Sequence, residues 1–168
     1  KEPKEYQDAE EQPNMLDSLR EVWRDSDKSA LRLFLAIFFW FVGYNAIEAF
    51  FTLYSVNHLG LNEADGAAIL GHLSLLFVIF ALISGFIGAR IGRRVTISLG
   101  LILLATVIAG MFILSPEKLA NSLTQLPVLG TVRVISLFMM GAGIAWALIN
   151  INSLPMVVDM VEDARIGT

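Results

Sequence analysis

Two long apolar runs, 66–89 and 95–114, are separated only by Arg90, Ile91, Gly92, Arg93 and Arg94. Each run is close to the roughly 20 residues that carry an α-helix across a bilayer. So short a connection permits only a tight turn, which makes the two runs consecutive membrane spans. The three arginines supply the turn's charge, and loops rich in Lys and Arg stay on the cytoplasmic side. The stretch Gly85–Arg94, GFIGARIGRR, therefore fixes the direction in which the whole chain is threaded.

Composition matters here through its distribution. The hydrophobic share is 55%, only slightly above the roughly 45–50% of soluble domains. Most of the charge, however, sits in residues 1–32, and the later runs hold almost none. A soluble core needs no succession of uninterrupted runs of span length. The expected fold class is an all-α membrane protein with four transmembrane helices. The absence of cysteine excludes a disulfide framework and a thiolate metal site. The net charge of -4 and the scattered basic residues point to no nucleic-acid partner. No nucleophile–base pair, phosphate loop or metal cluster stands out, so neither an enzyme nor a bound cofactor or metal is expected. Residues 1–30 have no apolar core and do not form a signal peptide. A chain that opens on Lys1 and stops just after a span reads as a piece of a longer protein.

Taken in order, residues 1–13 are polar and acidic and read as a linker. Over 14–27, Met15, Leu16, Leu19, Val22 and Trp23 fall at helical spacing, giving a short amphipathic helix. It lies either at the membrane surface or on neighbouring cytoplasmic segments. The linker and this helix together make up residues 1–32. The four spans are placed at about 33–56, 66–89, 95–114 and 131–158. Asn62 or Asp65 caps the second, and residues 115–130 form a longer exposed loop. Residues 159–168 begin another cytoplasmic loop. With 90–94 inside, ten of the twelve Lys and Arg residues are cytoplasmic, and Lys118 and Arg133 remain outside. Both ends of the chain then face the cytoplasm of a cell-membrane, multi-pass protein.

Several residues at bilayer depth do not suit lipid. A carboxylate near a helix centre costs about 2.5–3.5 kcal/mol on insertion scales. Glu48 therefore faces a bundle interior or a watery cavity. Phe41, Tyr44, Asn45, Glu48 and Thr52 recur every three or four residues and share one face. Aromatic rings stack on sugar rings, while an amide and an acid take hydroxyl hydrogen bonds, so this face suits a polyol. The bland alternative is that Asn45 and Glu48 only bond another helix. In the fourth span, Trp146, Asn150 and Ser153 share a face with Gly143 one turn before. Asn152 points about 200° away from Asn150 and is expected to bond a neighbouring helix. Gly141, Gly143 and Ala145 suggest close helix contact. His72 is either a proton relay or a plain hydrogen-bonding residue.

Gly85, Arg90, Gly92, Arg93 and Arg94 resemble the G-x-x-x-D-R-x-G-R-R loop of the major facilitator superfamily of transporters, which joins the second and third helices of each six-helix half. Ala89 stands where that loop has its acid. Asn152-Ser-Leu-Pro-Met-Val-Val-Asp159, followed by Glu162, Asp163, Arg165 and Gly167, resembles a span end in the glycoside–pentoside–hexuronide cation symporters and the sucrose–proton symporters. The resemblance implies helices seven to ten of twelve, with the remaining helices elsewhere in a full-length transporter. In that family the equivalents of the first and fourth spans line the central cavity, as members of inverted repeats. It further implies coupled symport of a sugar or glycoside with a proton or other cation. Tyr44, Asn45, Glu48, Trp146 and Asn150 would bind solute, and Glu48 is the candidate coupling acid. Gly85, Arg90, Gly92, Arg93, Arg94 and Asp159 would form the cytoplasmic loop and gate. The alternatives are a facilitator of another small polar solute, a small membrane-embedded lipid enzyme and a non-transporting scaffold.

Overall fold

The computed structural model describes residues 23–24 and 28–166, with side chains through Val157 except that of Ala30. The amphipathic helix expected over 14–27 lies outside them, apart from Trp23 and Arg24, which are helical and exposed. The described elements are α1 (Ser29–Asn57), α2 (Glu63–Ile91), α3 (Arg93–Ile113), a short α4 (Pro116–Ala120), β1 (Ser122–Leu126), β2 (Gly130–Arg133) and α5 (Val134–Ile166). Contacts separate residues 1–39 from residues 40–168, with the boundary inside α1. The packed core lies in the second group.

Four of these helices are long and apolar enough to cross a membrane. Their outward surfaces are apolar: Leu82 is 86% exposed and Phe112 is 91% exposed. So much apolar surface is unfavourable in water and suits a bilayer. The four-helix, all-α membrane architecture is therefore the one expected.

α5 is the hub. Of its most apolar stretch 56% is buried, against 22% in α2 and in α3. It runs parallel to α2 and antiparallel to α3, with small residues at the contacts. A side chain at Gly143 would collide with the carbonyl oxygen of Leu73 on α2. A side chain at Gly100 on α3 would meet the carbonyl of Ala145 at 2.8 Å. These are the close approaches expected around 141–145, and they maximise van der Waals contact where no hydrophobic effect drives helices together.

Two connections are shaped by local chemistry. Asn62 caps α2, its Oδ1 accepting from the Asp65 N–H at 2.8 Å. Glu63 and Asp65 lie in the first turn, where the helix dipole favours acids. At the other end Gly92 alone separates α2 from α3, with φ 94 and ψ 138. Its N–H donates to the Gly88 carbonyl at 3.0 Å, and its own carbonyl accepts from the Thr96 N–H at 3.1 Å. One residue thus closes one helix and opens the next.

The segment after α3 differs from its expectation. Residues 115–130 are not an open loop: they hold α4 and most of a β-hairpin. β1 pairs antiparallel with β2, with an irregularity between Ser122 and Thr124. Thr131–Arg133, placed in the fourth span from the sequence, belong to β2, and the helix starts at Val134. Gly130 takes φ 70 at the turn, and the Arg133 N–H donates to Ser136 Oγ at 3.0 Å where strand becomes helix. At the other end α5 continues through Pro155 to Ile166, so 159–166 are helical where a loop had been expected. A proline inside a membrane helix is tolerated when neighbours satisfy the freed carbonyl.

Candidate functional site

The polar–aromatic faces of α1 and α5 meet at three rings. Tyr44 lies flat on Trp146, with centroids 4.0 Å apart and planes 5° from parallel. Phe41 meets the same indole edge-on at 5.1 Å and 77°. Such ring pairs contribute about 0.5–1.5 kcal/mol beyond their buried area. Trp146 is only 3% exposed, so it supports the ring of Tyr44 from behind.

The rest of the α1 face divides. Asn45 and Glu48 are exposed. Asn45 donates its amide to the Phe41 carbonyl one turn earlier, at 2.7 Å. Thr52 instead packs toward α2 at Gly66. On α5, Asn150 is half-buried, and its carbonyl accepts from Ser153 Oγ at 2.9 Å. Ser153 itself is buried. Gly143 belongs to the α2 contact and not to the face of Trp146. What stays open beside the stacked rings is Tyr44, Asn45 and Glu48.

A second polar cluster lies inside the α2–α5 contact. Asn152 donates to Ser84 Oγ and to the Leu148 carbonyl, each at 2.9 Å. Ser84 Oγ donates in turn to the Ala147 carbonyl at 2.9 Å. Asn152 thus bonds a neighbouring helix, as its angle from Asn150 predicts. Its side-chain oxygen occupies the space where any Cβ at Gly88 would fall. Nothing in the sequence around Gly88 signals this role, because its partner lies 64 positions later.

The model of the major facilitator superfamily matches residues 1–168, the full chain. The chain belongs to the major facilitator superfamily. No curated protein and no solved structure gives a significant match. With four helices able to cross a membrane, it is a multi-pass membrane transporter of that superfamily.

The facilitator-type loop is built differently at its two glycines. Gly92 needs its backbone conformation, since φ 94 is rarely adopted by residues with a Cβ, although nothing lies within 4 Å of the missing Cβ. Gly85 has ordinary space, with Ile151 at 3.7 Å from a built Cβ. The Arg90 guanidinium lies 4.2 Å from the Phe86 ring centroid, a cation–π contact one helical turn back. The Arg94 carbonyl accepts from Ser98 Oγ at 2.9 Å, and Arg93 also has a partner. Asp159 falls within α5, but its side chain, like those of Glu162 and Asp163, lies outside the described set.

His72 is fully buried, and its Nε2 lies 2.8 Å from the Leu129 carbonyl at the turn of the hairpin. The bond suits the plain hydrogen-bonding role, while the buried Nδ1 on the other side of the ring has no partner among the described residues. At the base of the hairpin, Arg133 reaches Asp65 at 3.0 Å and donates to the Ala120 carbonyl at 2.9 Å. Among the described residues no group of three His, Asp or Glu side chains is arranged to hold a metal ion.

Proposed function

We propose that the chain is part of a symporter that moves a sugar or glycoside with a proton or another cation by alternating access. The Tyr44–Trp146 stack carries this reading. It brings together the two spans whose counterparts line the cavity in the family resembled, and leaves a tyrosine ring, an amide and a carboxylate on one open edge. In this reading Tyr44, Asn45, Glu48, Trp146 and Asn150 bind solute, and Glu48 is the coupling candidate. The three arginines of the α2–α3 connection lie on the cytoplasmic side with both ends of the chain. Asp159 gates against them in a cell-membrane protein whose other helices lie outside this stretch. A facilitator of another small polar solute is the second reading, because the same edge suits any polyhydroxylated molecule.

The test is transport by the full-length protein in proteoliposomes, wild type and Glu48→Gln. Sugar symport predicts glycoside uptake driven uphill by an imposed ion gradient. If Glu48 couples, the substitution abolishes uphill uptake and leaves solute exchange intact. If it only binds solute, both fall together. Transport of unrelated solutes with no glycoside uptake favours the facilitator reading, and wild-type behaviour of Glu48→Gln removes Glu48 from the pathway.

A further inference from the structure

The β1–β2 hairpin lies against the N-terminal part of α2, and two bonds fix how far it reaches. Arg133, at its base, is paired with Asp65 in the first turn of α2. Leu129, at its turn, is held by His72, seven residues further along the same helix. The hairpin therefore points from the α2 N-terminus back toward the body of the helices.

The depth of that turn follows from helix geometry. Twenty residues of α2 separate His72 from Gly92, which is about 30 Å at roughly 1.5 Å per residue. Arg90, Arg93 and Arg94 around Gly92 mark one polar boundary of the bilayer, and its hydrocarbon core is about 30 Å thick. α3 gives the same level independently: its 21 residues starting at Arg93 end at the exposed Phe112 and Ile113. The bond between His72 and Leu129 thus lies at the opposite hydrocarbon boundary, and Asp65–Arg133 lies about 10 Å further out, in water.

The side chains match this placement. Val128 is 93% exposed, and Leu126 is 40% exposed beside Pro127. The base of the hairpin carries Ser122, the exposed Leu123 and the paired Arg133. We infer that the hairpin is an interfacial anchor, with Leu126 and Val128 seated in the headgroup–acyl boundary of the leaflet opposite Gly92 and the Asp65–Arg133 pair above it in water. Its partner is the lipid surface. The buried His72 bond then gives the Leu129 carbonyl an acceptor role at a level where water is scarce. The inference rests on the spanning helices and is independent of the solute carried.

Because the chain has no cysteine, a spin label can be placed singly by Val128→Cys and, for comparison, by Ser122→Cys. Both variants are made in the full-length transporter, cleared of cysteines elsewhere and reconstituted in liposomes. Collision with oxygen, which concentrates in lipid, is compared with collision with a water-soluble nickel chelate. The anchor predicts that oxygen collisions dominate at position 128 and nickel collisions at position 122. Equal nickel access at both positions places the tip in water and overturns the inference. Shielding of position 128 from both reagents means that protein covers it, and overturns it equally.

Discussion

Asn152 of α5 reaches across to Ser84 of α2, donating to its hydroxyl at 2.9 Å, and its amide fills the space left by the missing side chain of Gly88. The bond and the gap depend on each other. A methyl group at Gly88 displaces the amide, and a displaced amide leaves Ser84 with one bond fewer in a contact that excludes water.

Gly88→Ala is therefore expected to destabilise the full-length protein by about 1–3 kcal/mol, the range for overpacking. Gly85→Ala, three residues earlier in the same loop motif, has room for the methyl and is expected to be neutral or stabilising by up to about 1 kcal/mol. Thermal unfolding of the two variants in one detergent checks the order. Equal midpoints contradict it.

Gly92→Ala tests backbone and not space. Open surroundings alone predict no effect, whereas residues held in Gly-only backbone regions cost about 1–3 kcal/mol each. A loss of that size, with no change when Ala89 is replaced by Ser at the neighbouring exposed site, identifies φ 94 as the cause.

Arg133 serves both Asp65 and the Ala120 carbonyl. Arg133→Ala should thus cost more than Asp65→Ala, because it leaves two acceptors behind. The coupling between the two charges should itself be modest, about 0.2–1 kcal/mol for a partly exposed pair. A double-mutant cycle on unfolding measures both. A larger loss for Asp65→Ala would show instead that its position in the first turn of α2 outweighs its ion pair.

The four long helices were legible because a bilayer allows few alternatives to a long apolar run. The α2–α3 turn was legible because three arginines and a glycine leave little else. The hairpin was not: β1 and β2 are five and four residues long, and strand pairing is decided by partners rather than by either strand alone. Leu126 and Val128 fell in the exposed loop expected over 115–130, and Val132 in the fourth span expected from 131. Gly88 was invisible for the same reason, since its role is set by Asn152. The α1 face was legible as a pattern, but Thr52 turns to α2 at Gly66, which spacing on a single helix cannot reveal.

Threading has its own test. Impermeant thiol reagents applied to intact cells should label Asn121→Cys and leave Arg93→Cys unlabelled until the membrane is permeabilised. Labelling of Arg93→Cys in intact cells reverses the orientation assigned to the arginine turn.

The central claim is that the open edge beside Tyr44 and Trp146 lines the path of a solute, and Asn45 tests it most directly. It is exposed, and its only described bond is to its own helix, so Asn45→Cys disturbs little else. In the full-length protein, a membrane-impermeant maleimide should modify this cysteine, and a transported glycoside should slow the reaction in proportion to its occupancy. Reaction only with lipid-soluble reagents, or a rate that no transported solute alters, would contradict the account and return Asn45 and Glu48 to a purely structural surface.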